Sequence, residues 1–166
     1  MNLKQFRRQT AAQRAGLAGF LQKLDETVPD DMAQLVSEED AKVWAAADCL
    51  SCANCCKKMT PTFSEKDIRR IAGHLSMSPK AFKDKWLYKD DDGDWLNKSI
   101  PCQFLGEDHK CSIYEVRPFD CSEFPHHHRR PFDDHNHTFT QNLSYCPATY
   151  DLVRRLKKRV EKEYEW

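Results

Sequence analysis

The sequence predicts a mainly α-helical fold with irregular loops and one short β-hairpin, in which N- and C-terminal helices flank a cysteine-rich middle. Apolar residues recur with the helical period near both ends. All eight cysteines lie between these helices, and residues 118–147 show neither a helical nor a strand period. A chain of 166 residues, 40% of them hydrophobic, can bury one globular core. We therefore expect a single domain over residues 1–166, with N-terminal helices in 1–47, a cysteine-cluster core in 48–147 and a basic C-terminal helix in 148–166.

The first predicted helix has one apolar face. Four apolar residues follow the i, i+3, i+4, i+7 pattern: Leu17, Phe20, Leu21 and Leu24. The segment Val28-Pro29-Asp30-Asp31 is expected to follow the end of this helix. The stretch SEED at 37–40 has the pattern of a capping box, and it predicts a short second helix that leads to Cys49.

Two further helices are predicted between the cysteines. Ser64, with Asp67 three residues later, predicts a capping box, and Ser78 before Pro79 predicts another helix start. Two short helices in succession are also typical of a helix-turn-helix, but the second one, PKAFKDKWLYK, lacks the polar residues that read bases. Because the formal net charge is also zero, we expect no specific nucleic-acid partner.

The hairpin and the C-terminal helix complete the predicted fold. WLNKSI at 95–100 and CSIY at 111–114 are expected to be strands around the turn GEDHK. The apolar stripe of the last helix consists of Leu152, Val153, Leu156, Val160 and Tyr164. Its basic face consists of Arg154, Arg155, Lys157, Lys158, Arg159 and Lys162. We interpret the basic face as solvated, and a docking surface for an acidic protein partner is the alternative.

The sequence has no feature of a membrane-spanning or secreted protein. No apolar run approaches the roughly 20 residues that span a bilayer. The first 24 residues are basic and amphipathic, as organelle transit peptides are, but we interpret them as an ordinary amphipathic helix. We therefore expect a cytoplasmic protein, in whose reducing compartment clustered cysteines are metal ligands more often than disulfides.

The cysteines are the residues that carry the chemistry. They are Cys49, Cys52, Cys55, Cys56, Cys102, Cys111, Cys121 and Cys146. The overlapping C-x₂-C units at 49, 52 and 55 can place three thiolates around one centre, and Cys146 before Pro147 offers a remote fourth ligand. Four thiolates satisfy one Zn²⁺ ion or one [4Fe–4S] cluster. The spacing favours an iron–sulfur cluster and leaves zinc open, so we expect a metal-organised cysteine-cluster domain.

The adjacent Cys55 and Cys56 bear on the number of centres. We expect their side chains to project in different directions, so that they bind one multinuclear centre or two separate ones. Each such arrangement of thiolates carries net negative charge. Five cations near the cysteines in sequence could offset it: Lys57, Lys58, Arg117, Arg129 and Arg130.

The segments CLSCANCC, PCQFLGEDHKCSIYEVRPFDCSEFP and YCP resemble the CxxCxxCC cysteine-cluster family, which includes the YkgJ-like bacterial proteins. The stretch FSEKDIRRIAGHLSMSPKAFKDKWL resembles the helical insert of that family. The resemblance covers residues 49–147 and implies a zinc- or iron-chelating domain in which all eight cysteines are ligands. Asn54 stands where a glycine often precedes the Cys-Cys pair, so the turn there must be made differently. Ser122 stands where a basic residue often follows the cysteine, which removes one source of charge compensation.

Two classes of function follow from these observations. The first is a metal-binding protein that chelates iron, as an iron–sulfur cluster, or zinc, with a structural, electron-transfer or metal-handling role. The second is a metal-dependent enzyme, because the family also resembles part of flagellin lysine methylases, which implies redox or methyl-transfer chemistry at an open metal position. We expect the histidine-rich loop at 126–137 to lie beside such a position, and whether the loop itself binds metal stays open.

Overall fold

The computed structural model describes residues 2–165, and 59% of the structure is helical. The helices are α1 (Leu3–Leu24), α2 (Met32–Trp44), α3 (Cys49–Cys52), α4 (Asn54–Lys58), α5 (Glu65–His74), α6 (Pro79–Trp86), α7 (Phe119–Glu123), α8 (Asn136–Asn142) and α9 (Pro147–Glu163). The strands are β1 (Thr62–Phe63), β2 (Leu87–Lys89) and β3 (Trp95–Asn97). These elements confirm the predicted mainly α-helical class with a small antiparallel sheet.

The chain forms two compact units. The terminal unit contains the chain up to Asp48 and again from Pro125 onward, and the cysteine unit is Cys49–Phe124. That the whole chain acts as a single domain stays a prediction. Within residues 2–165, no helix has the length and apolar character that crossing a membrane requires.

In the terminal unit, α1 and α2 each pack against α9. The four apolar residues predicted for α1 are all buried, with 3% exposure or less. The stripe predicted for α9 is buried too, except for Tyr164, which follows the end of the helix and donates its hydroxyl to Asp31. Removal of these apolar side chains from water is the main force that holds the helices together.

Helix α2 begins earlier than the sequence predicts. It starts at Met32, so Ser37 lies inside the helix and the predicted capping box at 37–40 is wrong. The reason is that Leu35 and Val36, both fully buried, extend the apolar face of α2 toward its start.

The cysteine unit has its own core around α5 and α6. The capping box of α5 is confirmed, since the Ser64 hydroxyl accepts the Asp67 N–H and the Asp67 carboxylate accepts the Ser64 N–H. Ser78 caps α6, with Pro79 at its first position, as predicted. The buried core residues are Phe63, Ile68, Ile71, Ala72, Phe82, Leu87, Phe104 and Ile113.

The sheet has the strand order β1-β3-β2, and all pairs are antiparallel. The hairpin joins β2 to β3 through a turn in which Asp90 accepts the Asp94 N–H and Gly93 has a φ of +89°. A short hairpin is therefore present, as the predicted fold class requires, but β2 and β3 form it, and the prediction that residues 111–114 pair with residues 95–100 is wrong. Cys111 forms only an isolated bridge with Leu105, because the chain then turns into a 3₁₀ helix at Tyr114–Val116.

Candidate metal centre

Six of the eight cysteines line one cavity of about 280 Å³ in the cysteine unit. They are Cys49, Cys55, Cys56, Cys102, Cys111 and Cys121. The apolar part of the lining includes Met59, Phe63, Phe104 and Ile113. Thiols from four separate parts of the sequence thus face one largely apolar space.

The first group of cysteines lies on two short helices, α3 and α4. Between them, Ala53 adopts the left-handed conformation with φ +49° and donates its N–H to the carbonyl of Cys49 at 3.3 Å. The turn that the missing glycine at position 54 required is therefore made one residue earlier, at Ala53. A non-glycine residue in this conformation is strained, at a cost of about 1 to 2 kcal/mol.

Hydrogen bonds position Cys102. Its backbone N–H donates to the carbonyl of Cys56 at 2.8 Å, which joins the second cysteine segment to the first. The amide of Asn97, a buried residue of β3, lies 3.5 Å from the Cys102 sulfur as a donor. Asn97 in turn donates its N–H to the Thr60 hydroxyl and accepts from Gln103. This role has no signal in the sequence, because Asn97 lies in a stretch whose pattern predicts only a strand.

Two carboxylates position the segment that carries Cys121, at the start of α7 (Phe119–Glu123). Asp67 of α5 accepts the N–H of Phe119 at 3.2 Å, and Asp120 accepts the N–H of Thr62 in β1 at 3.1 Å. These bonds fix Phe119 and Asp120 at the start of α7, and Cys121, which follows them, lies at the cavity wall. Asp67 was identified from the sequence only as a helix cap, and its bond to Phe119 could not be predicted from spacing.

The sulfur atoms of Cys55 and Cys56 are 4.0 Å apart. The prediction that these adjacent side chains diverge is therefore wrong: both sulfurs line the same cavity, although adjacent positions of a helix point roughly 100° apart. Two thiolates bound to one tetrahedral ion through bonds of about 2.3 Å are roughly 3.8 Å apart. The observed separation is close to that value.

The cavity contains one acidic thiol among less acidic ones. The hydrogen bond from the Cys55 thiol, aided by the charge of Lys57, lowers the pKa of Cys56 to about 7. Burial raises the pKa of Cys102, Cys111 and Cys121, and the negative charge of Cys56 raises all three further. Metal binding at this site must therefore displace protons.

Two predicted ligands lie elsewhere. Cys52 is half-buried at the end of α3 and does not line the cavity. Cys146 is buried in the terminal unit at the N-cap of α9, where its sulfur accepts the Thr149 N–H at 3.5 Å. Within residues 2–165, no three side chains of His, Cys, Asp or Glu are grouped closely enough to hold a metal ion as they stand. The assignment of the eight cysteines as ligands stays a prediction.

Of the cations expected to offset thiolate charge, Arg117 lines the cavity. Its guanidinium stacks on the Tyr114 ring at 3.9 Å and donates to the Tyr114 carbonyl at 2.8 Å. Arg129 and Arg130 belong to the terminal unit, where Arg130 donates to the carbonyl of His127.

The histidine-rich loop also belongs to the terminal unit. His127 is 3% exposed, and its two ring nitrogens bond to Asp40 at 2.7 Å and to Thr149 at 2.9 Å. This network joins α2 to α9 and gives His127 a structural role. The sequence contains no signal for it, because its three members are far apart in the chain and the loop has no period.

Comparison with known proteins identifies the family that the sequence matches. The model of the CxxCxxCC family, described as "putative zinc- or iron-chelating domain", matches residues 48–147. The chain is similar to the uncharacterized protein MJ0661 of Methanocaldococcus jannaschii, with 31% identity over 84 residues. That match covers 49% of this chain and 45% of the relative, so the chain spans less than half the length of this curated relative. No solved structure matches the chain with significance.

Proposed function

The chain belongs to the CxxCxxCC family of zinc- or iron-chelating domains, and from that premise we propose that its cysteine cavity holds iron as an iron–sulfur cluster. The observation that carries the proposal is the arrangement of six cysteines around one cavity of about 280 Å³. A single four-coordinate ion draws its sulfurs to bonds of about 2.3 Å and needs no such space. The volume therefore favours a multinuclear core of iron and sulfide.

The residues of the chain define what such a site would do. The six cysteines of the cavity are the first candidates for ligands, and Cys52 and Cys146 remain predicted ligands. When bound, the cluster supplies a one-electron redox centre. Apolar residues of the lining limit access of water to it, and Arg117 and Lys57 offset thiolate charge. Electron transfer or metal handling in the cytoplasm is the role that this arrangement supports.

Zinc is the second candidate, and one observation favours it. The 4.0 Å separation of the Cys55 and Cys56 sulfurs suits two ligands of one ion. A zinc site would stabilise the fold, since the free energy of metal binding is then free energy of folding.

An enzyme is the third hypothesis, and it requires a proton donor or acceptor beside an open metal position. His109 and Asp120 are the residues of the cavity lining that could supply one. The acid–base groups that this hypothesis needs are therefore present in the cysteine unit itself, without the histidine-rich loop.

Anaerobic purification followed by analysis of iron, sulfide and zinc, with an absorption spectrum, tests the proposal. We expect a coloured protein with iron and sulfide in similar amounts. A colourless protein with stoichiometric zinc and no iron or sulfide would refute the cluster and support the second candidate. Native protein with all eight cysteines in disulfides would refute both.

Serine variants test which cysteines bind. We expect Cys56→Ser and Cys111→Ser to lose the metal, because both sulfurs line the cavity. Cys52→Ser is the comparison variant: Cys52 is also a predicted ligand but does not line the cavity, so we expect this variant to keep more of the metal. Equal loss in all three variants would show that the cavity does not define the ligand set.

A further inference from the structure

A groove of about 450 Å³ runs between α1 and α9 in the terminal unit, and none of its lining residues is a cysteine. Its lining residues are Ala12, Gln13, Gly16, Leu17, Arg154, Lys157, Lys158, Glu161 and Lys162. The lining contains four cationic side chains and one carboxylate, so the groove carries net positive charge although the whole chain is neutral.

The cations of the basic face of α9 fall into two groups, one that pairs with α2 and one that lines the groove. Arg155 and Arg159 pair with the α2 carboxylates Glu39 and Glu38, so these two cations serve the packing of the unit. The cations that line the groove are other residues of α9, namely Arg154, Lys157, Lys158 and Lys162.

Within the groove, the four cations are not equally engaged. Arg154 pairs with Asp151, and Lys157 pairs with Glu161. Lys158 and Lys162, by contrast, have no ion-pair partner among residues 2–165. Two positive charges at the edge of the groove are thus not neutralised by the described part of the chain.

Gly16 keeps the groove open. A Cβ atom added to Gly16 would meet no atom within 4 Å, so internal packing does not require glycine there. Its position inside α1 is conformationally ordinary, and glycine in a helix interior is less stable than alanine. With Ala12 one turn earlier, Gly16 lets another backbone come close to α1.

We propose that the groove between α1 and α9 binds an acidic segment of a partner protein. Carboxylates of that segment would pair with Lys158 and Lys162, and its backbone would lie over Gly16 and Ala12. A nucleic acid fits less well, because the lining has no aromatic side chain for base stacking and the chain is not basic overall. The occupant is therefore a peptide, which the groove recognises by its negative charge and by the close approach of its backbone to α1.

The test uses the full chain as purified and a fluorescein-labelled amphipathic peptide of about 18 residues, with Glu on one face and Ala and Leu on the other. Fluorescence anisotropy is expected to show saturable binding that weakens about tenfold in the double variant Lys158→Glu/Lys162→Glu. It should also weaken between about 50 mM and about 500 mM NaCl, as charges become screened. Lys66→Glu, the same change at an exposed site on α5, is the control and should leave the affinity unchanged.

Gly16→Leu separates binding from folding. Leucine favours the helix more than glycine does, so the thermal unfolding temperature should not fall while the peptide affinity does. Absence of saturable binding, or equal loss in the double variant and in Lys66→Glu, would overturn the proposal. Two other results would assign the groove to another occupant and also overturn the proposal. One is tighter groove-dependent binding of a DNA oligonucleotide or of phosphatidylserine vesicles. The other is self-association of the chain that Gly16→Leu abolishes.

Discussion

Asp67→Asn is expected to destabilise the cysteine unit, because one buried carboxylate joins α5 to the segment that carries Cys121. Asp67 is 2% exposed and accepts four hydrogen bonds. One oxygen accepts from the Ser64 hydroxyl at 2.6 Å and the Ser64 N–H at 3.1 Å. The other accepts from Arg70 at 2.6 Å and the Phe119 N–H at 3.2 Å.

The size of the effect follows from these bonds. Asparagine keeps one accepting oxygen, so two of the four donors lose their acceptor and face an amide N–H₂ instead. A buried donor left unsatisfied costs about 1 to 3 kcal/mol, and the bond to Arg70 counts for less because that side chain is 38% exposed. We therefore expect the free energy of unfolding to fall by about 3 kcal/mol at neutral pH.

The pH dependence gives a second signature. Burial raises the pKa of Asp67, and the hydrogen bonds from Ser64 and Arg70 more than reverse this effect, so the pKa lies below its usual value. The stabilisation is then present above the pKa of the unfolded chain, about 3.9, and is lost as the pH falls through the lower folded value. The difference between wild type and Asp67→Asn should shrink over that range.

Urea unfolding followed by circular dichroism, at neutral pH and across the acid range, measures both effects. Asp91→Asn, an exposed carboxamide change in the same unit, is the control. The reasoning is refuted if Asp67→Asn costs less than about 1 kcal/mol, or if it costs no more than the control.

Four more outcomes are expected. Ala53→Gly should stabilise the protein by about 0.5 to 1 kcal/mol in urea unfolding, because it relieves a left-handed residue; a loss would contradict the strain. Asn97→Leu should weaken Zn²⁺ binding about tenfold in a chelator competition, because the Asn97 amide no longer donates a hydrogen bond to the Cys102 sulfur. Unchanged affinity would show that this hydrogen bond does not contribute to metal binding. Glu39→Gln should cost about 2 kcal/mol, because a buried carboxylate holds cations of α2 and α9; an effect below about 0.5 kcal/mol would show that solvent screens the network. Zn²⁺ affinity should rise about tenfold or more per pH unit between about pH 6 and 8, because burial raises the pKa of Cys102, Cys111 and Cys121 and the ion must displace their protons. An affinity that does not change with pH would contradict the inference that these thiols are protonated before metal binds.

Much of the helical framework could be predicted because its signals are local. The caps at Ser64 and Ser78 and the apolar stripes of α1 and α9 each depend on residues a few positions apart. The start of α2 was predicted too late because the pattern at 37–40 competes with a longer apolar face that only packing reveals. The wrong strand pairing has the same origin, since two short apolar runs are compatible with several partners and the tertiary fold chooses among them.

The local features of the candidate site could likewise be predicted from the sequence, whereas its long-range contacts could not. Cysteine spacing identified which residue type matters, but the cavity is formed by contacts that span long stretches of sequence, such as Cys102 to Cys56 and Asp67 to Phe119. The geometry of the Cys55–Cys56 pair depends on where the chain turns, and Ala53 rather than position 54 takes the left-handed conformation. The turn at Ala53 lets α4 begin at Asn54, so both cysteines lie within this helix, with their sulfurs 4.0 Å apart.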